Sequence, residues 1–183
     1  MPRTILTNIG TIISGDIAKP LLNKDTISIK DGLIEQVSTS AELKPAAGDT
    51  VIDCGGTTVT PGLIDSHCHV ILGDYTSRQK QLGFIESELH GGVTTMISAG
   101  EVHLSGRPKD PAGTKALAIL AAKAWANFRP GGAKVLGGAL ILEKGLVKKD
   151  FEEMAREGVR VVGEIGLGSV KQPEDAAPMV AWA

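Results

Sequence analysis

The chain has 183 residues, a formal net charge of −2, 42% hydrophobic residues and only 3% aromatic ones. This composition suits a globular protein with an aliphatic core. The near-neutral charge, without a run of lysine or arginine, gives no electrostatic footprint for nucleic acid or a membrane surface, so we expect neither partner. No apolar stretch reaches the length of a membrane span, and two cysteines, Cys54 and Cys68, are too few for a disulfide scaffold. We therefore expect a cytoplasmic protein.

The first 57 residues have the pattern of a small antiparallel β unit. The pair Asp31-Gly32 lies between two apolar runs, which is a strong signal for a two-residue hairpin turn. Strand-like runs lie at 4–13, 26–30, 33–37 and 50–54, with a loop at 44–48. We interpret residues 1–57 as a portion of a β-sandwich.

From about residue 58 the pattern changes to alternating strands and helices. Strand-like runs lie at 58–67, 93–99, 134–139 and 159–165, and helical stretches lie at roughly 79–90, 113–127 and 148–157, with a last helix from about 173. Repeated βα units predict an α/β fold with a parallel sheet and right-handed crossovers. Four such units make half of a (β/α)8 barrel, which needs about 250 residues when complete. We therefore expect residues 58–183 to form the first four βα units of a truncated barrel.

The segment Pro61-Gly62-Leu63-Ile64-Asp65-Ser66-His67-Cys68-His69 is the most informative part of the sequence. Alternate residues of a strand project to the same face, so His67 and His69 share one side, about 6.6 Å apart along the backbone. Two imidazoles at that spacing can bind one metal ion, and the C-terminal ends of barrel strands form the active-site mouth. The pattern predicts a metal site for metal-assisted hydrolysis. Asp65 shares the same face, either as a carboxylate that orients a ligand histidine or as an ordinary strand-end residue.

Glu164 follows the apolar run Val159-Arg160-Val161-Val162-Gly163 at the end of the fourth predicted strand. In a barrel that position faces the same mouth as the two histidines. The pattern by itself is equally compatible with a metal ligand and with the first residue of a loop.

A few other polar residues follow the first two predicted strands. His103 lies in the loop after the second strand, where it could line the mouth, although an ordinary loop position is the simpler interpretation. Arg78, Arg107 and Lys109 could hold an anionic group of a substrate, but cations in loops are usually only solvated. We name His103 and Arg107 as candidate substrate-binding residues.

The small N-terminal β unit and the run from Val59 to His69 together resemble the amidohydrolase superfamily. Three further segments, at 90–100, 106–110 and 163–168, resemble its enamidase branch. The resemblance runs through the whole chain but corresponds to the first half of such an enzyme. It implies the N-terminal part of a small β-sandwich followed by half of a metal-dependent hydrolase (β/α)8 barrel.

The resemblance also implies a reaction and a ligand set. The full-length parent would hydrolyse a carbon–nitrogen bond of a cyclic amide, using two divalent metal ions, zinc and/or iron. His67 and His69 would bind the more buried metal, and Glu164 would bridge both metals, in the place that a carboxylated lysine takes in many members. Two further histidines and the aspartate that acts as proton shuttle would lie beyond Ala183, so no catalytic residue is expected in this chain. We expect the fragment to be inactive, and the parent to be a homo-oligomer with a small-molecule cyclic amide as substrate.

Two other functions stay open. One is another cyclic amide or imide hydrolase, of the dihydroorotase or imidazolonepropionase type, because substrate choice depends largely on later loops in such enzymes. The other is a non-catalytic oligomeric scaffold, because some dihydropyrimidinase relatives have lost their metal ligands. Retention of His67, His69 and Glu164 favours the enzyme.

Overall fold

The computed structural model describes residues 2–70, 72 and 81–183. The chain divides into two compact units, Met1–Pro61 and Gly62–Ala183. The division falls at Pro61, so residues 58–61 belong to the first unit, although the strand pattern groups them with the second.

The first unit is built from two small β-sheets. Its strands are β1 (Thr4–Thr7), β2 (Thr11–Ile13), β3 (Leu21–Leu22), β4 (Thr26–Lys30), β5 (Leu33–Ser38), β6 (Thr50–Asp53) and β7 (Thr58–Val59). One sheet has the strand order β5-β4-β1-β6, and the other has the order β3-β2-β7. The apolar side chains of Ile9, Ile12 and Ile27 form the buried centre of this unit.

The hairpin predicted at Asp31-Gly32 is confirmed. Strand β4 pairs antiparallel with β5, and both turn residues have positive φ, 52° and 77°, as a type I′ turn requires. The single strand predicted at 4–13 is wrong, because the chain breaks at Asn8 into β1 and β2, which belong to different sheets. Asn8 has a φ of 53°, in the left-handed region that asparagine tolerates better than most residues.

The strand-like run at 58–67 is also two strands. Strand β7 pairs parallel with β2 in the first unit, whereas Leu63–Cys68 forms β8 of the second unit. Pro61 has no backbone N–H and cannot take part as a donor in a continuous ladder. Gly62 is required next to it, because a Cβ at that position would lie only 2.0 Å from Thr94 Oγ1.

The second unit alternates strands and helices, as predicted. Its elements are β8 (Leu63–Cys68), α1 (Gln81–His90), β9 (Val93–Ser98), α2 (Pro111–Asn127), a 3₁₀ turn (Pro130–Gly132), β10 (Lys134–Leu136), α3 (Lys148–Arg156) and α4 (Pro173–Trp182). The three strands are parallel and have the order β10-β9-β8. Helix α2 begins at Pro111 rather than at 113, because the Asp110 side chain caps it by accepting the Gly113 N–H at 2.9 Å. Residues 79 and 80, at the start of the first predicted helix, lie outside the described part of the chain.

The fourth predicted strand, 159–165, is wrong as an extended strand. It contributes one isolated parallel bridge, between Leu140 and Val162. The Leu140 N–H donates to Val161 O (2.9 Å), and the Gly163 N–H donates to Leu140 O (2.8 Å). This short ladder still places the residues after Val162 beside the end of the parallel sheet.

The third strand ends at Leu136, before its predicted end at 139, because two glycines follow it. Gly138 has a φ of 82°, and a Cβ on it would lie 2.2 Å from Ala118 O of α2. A Cβ on Gly137 would lie 2.1 Å from Cδ1 of Trp125. The close approach of α2 therefore requires glycine at both positions, and a left-handed residue cannot continue a strand.

Helix α2 contributes to two apolar clusters of the second unit. Ala118 belongs to one cluster, which includes Leu140, Leu142, Phe151, Met154 and Val170. Ala121 and Trp125 belong to the other, which includes Cys68, Val70, Ile85, Met96 and Val135. Among the residues that the structure describes, no helix has the length and apolar character needed to cross a membrane.

Candidate metal site

His67 and His69 lie at the end of β8, on either side of Cys68. Cys68 pairs with Ser98 of β9 and is 4% exposed, so the alternation of the strand directs both histidines to the other side. The His67 side chain is 60% exposed and that of His69 is 22% exposed. Their rings meet edge to face, with 5.4 Å between centroids. Burial raises the pKa of the Cys68 thiol to about 11. Cys68 packs into the apolar cluster on the other side of the strand, so its sulfur is directed away from the two histidines.

Backbone hydrogen bonds bring Glu164 to the same place. The Ala99 N–H donates to Cys68 O at 2.7 Å, and the Glu164 N–H donates to Ala99 O at 2.9 Å. Ala99 thus links the end of β8 to the segment that follows the bridge at Val162. Glycine is required at position 163 for this approach, because a Cβ there would lie 2.6 Å from Ala99 O.

The three predicted ligands converge. Glu164 Oε2 lies 3.4 Å from His69 Nε2 and 3.8 Å from His67 Nε2, and one ligand atom from each side chain lies within 4.8 Å of the others. Glu164 Oε2 is buried and accepts no hydrogen bond from a described residue. Imidazole nitrogen and carboxylate oxygen are the usual ligands of hydrolytic zinc sites. The donor set and its spacing fit a divalent cation.

The loop after β9 contacts residues that follow β8, through His103 and Glu101. The His103 ring lies against the His69 ring, with 4.7 Å between centroids and an angle of 69°. Its predicted role in substrate binding stays a prediction. Glu101 is a buried acidic residue that the sequence interpretation missed: it is 1% exposed, and its Oε2 accepts the Leu72 N–H at 2.9 Å. Burial raises the pKa of Glu101 to about 7, although the hydrogen bond from Leu72 opposes the rise.

Arg107, the second candidate for substrate binding, lies in a buried ion pair with Glu143. Nη1 of Arg107 is 2.8 Å from Oε1 of Glu143, and the two side chains are 6% and 0% exposed. Burial raises the pKa of Glu143, but hydrogen bonds from Ser169 and Arg107 outweigh burial and leave the pKa below its ordinary value. The described contacts favour a structural role for Arg107, and its predicted role towards substrate is untested.

Two other sequence candidates, Asp65 and Lys109, lie outside the ligand cluster. Asp65 Oδ1 accepts the backbone N–H of His67 at 2.9 Å, so its carboxylate fixes the main chain rather than the imidazole. Lys109 is exposed. Arg78 lies outside the residues that the structure describes.

Comparison with known proteins gives a consistent relationship. No family model matches the chain. Its sequence is 61% identical over all 183 residues to the Enamidase of Eubacterium barkeri, of which it covers 47%. It is also 31% identical over 118 residues to the Imidazolonepropionase of Bacillus cereus (strain AH187), covering 54% of this chain and 27% of that protein.

Solved structures agree with the sequence matches. A crystal structure of an enamidase, described as a new member of the amidohydrolase superfamily, superimposes with a TM-score of 0.89 at 60% identity, covering 98% of this chain and 47% of that one. A further amidohydrolase structure, 19% identical, gives a TM-score of 0.60 over 99% of this chain and 53% of that one, and shows likeness of fold alone.

These matches confirm the resemblance to the amidohydrolase superfamily. Within that superfamily, the resemblance to enamidase is confirmed along the whole chain. The predicted fold class is confirmed as well: the chain is α/β, with a β-rich first unit followed by βα units, and corresponds to about half of the enamidase fold. The chain spans 47% of the length of the enamidase that it matches.

Proposed function

We propose that this chain is part of a metal-dependent hydrolase that cleaves the C–N bond of a cyclic amide, as an enamidase-like amidohydrolase. The observation that carries the proposal is the convergence of His67, His69 and Glu164 at the end of β8, with ligand atoms within 4.8 Å of one another. The 61% identity to an Enamidase supports this reaction class. In the same proposal, the two units are the sandwich portion and the first half of the barrel.

In this proposal, His67 and His69 would hold the more buried of two divalent metal ions, zinc and/or iron, and Glu164 would be shared between the two ions. A carboxylate has two oxygens, so one side chain can serve two ions and partly neutralise their charge. The smaller exposure of His69 and the buried Oε2 of Glu164 support the assignment. The chemistry that such ions would supply is the polarisation of a carbonyl oxygen and a lowered pKa of the attacking water.

The remaining residues of the site keep these ligands in place. Asp65 holds the main chain at His67, and Ala99 holds Glu164 beside Cys68 through two backbone hydrogen bonds. Cys68 packs into the apolar cluster on the opposite side of β8, so it does not compete for the metal. The chain thus supplies three ligands, and further ligands and the proton-shuttle aspartate would come from outside it.

The proposal also covers partners and location. We propose a small-molecule cyclic amide as substrate, a homo-oligomeric parent enzyme and a cytoplasmic location. Both cysteines, Cys54 and Cys68, are free thiols, which supports a reducing compartment.

A chimera tests the proposal directly. The corresponding half of the Eubacterium barkeri Enamidase is replaced by this chain, and metal content per chain and hydrolysis of cyclic amides are measured. We expect the chimera to bind metal and hydrolyse a cyclic enamide lactam. Glu164→Gln should remove metal from at least one position. It should lower activity by about 100-fold or more, which is the usual effect on kcat of removing one principal electrostatic group.

Glu174→Gln is the matched control, because it makes the same carboxylate-to-amide change away from the metal site. Glu174 lies in the first turn of α4. This variant should retain full metal content and activity. Full metal content and unchanged activity in Glu164→Gln would contradict the bridging role. The imidazolonepropionase match makes an imidazolone the second substrate to assay. A chimera that folds but binds no metal would favour the alternative of a non-catalytic scaffold.

A further inference from the structure

A buried ion pair joins three loops at the edge of the sheet where the metal ligands lie. Arg107 belongs to the loop after β9, and Glu143 belongs to the loop after β10. Arg107 Nη1 is 2.8 Å from Glu143 Oε1, and neither side chain is more than 6% exposed. Two charges removed from water in this way are stable only when each is paired and hydrogen-bonded.

Both members of the pair also bind the loop that follows Glu164. Arg107 Nη2 donates to Leu167 O at 3.1 Å, and Glu143 Oε2 accepts the Ser169 N–H at 2.7 Å. The loop packs closely here, because a Cβ on Gly168 would lie 2.2 Å from Leu142 O. One ion pair therefore fixes residues on both sides of Gly168.

Glu164 lies between two fixed stretches of chain. Before it, the Gly163 N–H donates to Leu140 O, and its own N–H donates to Ala99 O. After it, Leu167 and Ser169 are held by the ion pair. Few backbone torsions remain free between these anchors, so the direction of the Glu164 side chain is restricted.

We infer that Arg107 and Glu143 are positioning residues that hold the Glu164 carboxylate ready to bind metal. The inference rests on the proposed metal site, since it concerns how one of its ligands is held. It gives Arg107 a role different from the binding of a substrate anion, because Glu143 neutralises its charge. The pair acts through the loop at 165–169, while the ligand atoms themselves belong to His67, His69 and Glu164.

The test separates positioning from stability. Co²⁺ binding to the 183-residue chain is followed by its visible absorption, and urea unfolding of the metal-free chain is measured separately. The key variant carries Arg107→Met together with Glu143→Leu, which removes both charges and leaves apolar side chains. Replacing a buried pair in this way is often neutral for stability, whereas removing one partner is strongly destabilising.

We expect wild-type chain to bind Co²⁺ and His67→Ala to abolish binding. The double variant should stay folded, with a urea midpoint lowered only modestly by loss of the hydrogen bonds to Leu167 and Ser169. It should bind Co²⁺ at least tenfold more weakly, because the loop after Glu164 is no longer held. Arg107→Lys, with Glu143 unchanged, should bind Co²⁺ more tightly than the double variant does, because it keeps the charge opposite Glu143.

Lys115→Met is the matched control. It breaks another ion pair, between Lys115 of α2 and Asp150 of α3, whose Nζ and Oδ1 atoms are 2.7 Å apart. It should leave the affinity for Co²⁺ within twofold of wild type. Wild-type affinity in the double variant would overturn the inference while leaving the metal site intact. Co²⁺ binding that persists in His67→Ala would instead overturn the metal site, and the inference with it.

Discussion

Gly163→Ala tests how the backbone places Glu164. The new Cβ would lie 2.6 Å from Ala99 O and 2.6 Å from Ile141 Cδ1, both below any normal contact distance. The Ile141 side chain can shift, but Ala99 O is main chain and accepts the Glu164 N–H at 2.9 Å. The substitution therefore has to displace the segment that carries the ligand.

The magnitude follows from two contributions. Overpacking a buried site costs about 1–3 kcal/mol, and loss of the Glu164–Ala99 hydrogen bond costs about 1 kcal/mol. We expect the free energy of unfolding to fall by about 2–4 kcal/mol. With a urea m value of about 2 kcal/mol/M, the midpoint should fall by about 1–2 M.

The assay is urea unfolding followed by tryptophan fluorescence. Both tryptophans, Trp125 and Trp182, lie in the second unit, so the signal reports on the unit that contains Gly163. Adding Ile141→Val removes Cδ1 and relieves the side-chain part of the clash, but loss of that buried methyl group itself costs about 0.5–1.5 kcal/mol. The double variant should therefore stay well below wild type, because the clash with Ala99 O remains.

Gly91→Ala is the control, because its Cβ would meet no atom closer than 3.3 Å; it should cost less than about 1 kcal/mol. A Gly163→Ala variant within about 0.5 kcal/mol of wild type would refute this account of how Glu164 is placed.

Three further predictions concern pH, zinc and activity. The pKa of Glu101 is raised from 4.5 to about 7, so the folded state holds the proton more tightly than the unfolded state does. The stability that this proton contributes is fully present below pH 4.5 and is lost as the pH rises through about 7. The loss amounts to about 3 kcal/mol, at about 1.36 kcal/mol per pKa unit. Glu101→Gln should remove that slope from the urea-unfolding free energy, and an unchanged slope would assign it to another group. Zinc binding to the isolated chain should be weak, because three ligands are fewer than a structural site uses, and His67→Ala should abolish it; tight stoichiometric zinc in that variant would place the site elsewhere. The isolated chain should show no hydrolysis of a cyclic amide, and turnover that is metal-dependent and free of contaminating enzyme would contradict this.

Local pattern was sufficient to predict several elements. The hairpin at Asp31-Gly32 follows from two residues that accept positive φ, and helix α2 follows from a run of strong helix formers. The spacing of His67 and His69 on one strand placed them on the same face, because side-chain direction in a strand depends only on alternation. The resemblance to the superfamily then connected Glu164 with the histidines, although the pattern around it suited a loop equally well.

Long-range contacts decided the rest. The approach of α2 to Gly137 and Gly138 ends β10 early, and that contact joins residues far apart in the chain. Burial of Glu101 and the pairing of Arg107 with Glu143 depend on which loops meet at the end of the sheet, and no local pattern encodes a partner 36 residues away. The sequence by itself determined which residues could bind a metal, because ligand chemistry belongs to the residue type. Only the tertiary structure decided that Glu164 stands 3.4 Å from His69, because that distance depends on backbone hydrogen bonds through Ala99, which form only when the βα units pack together.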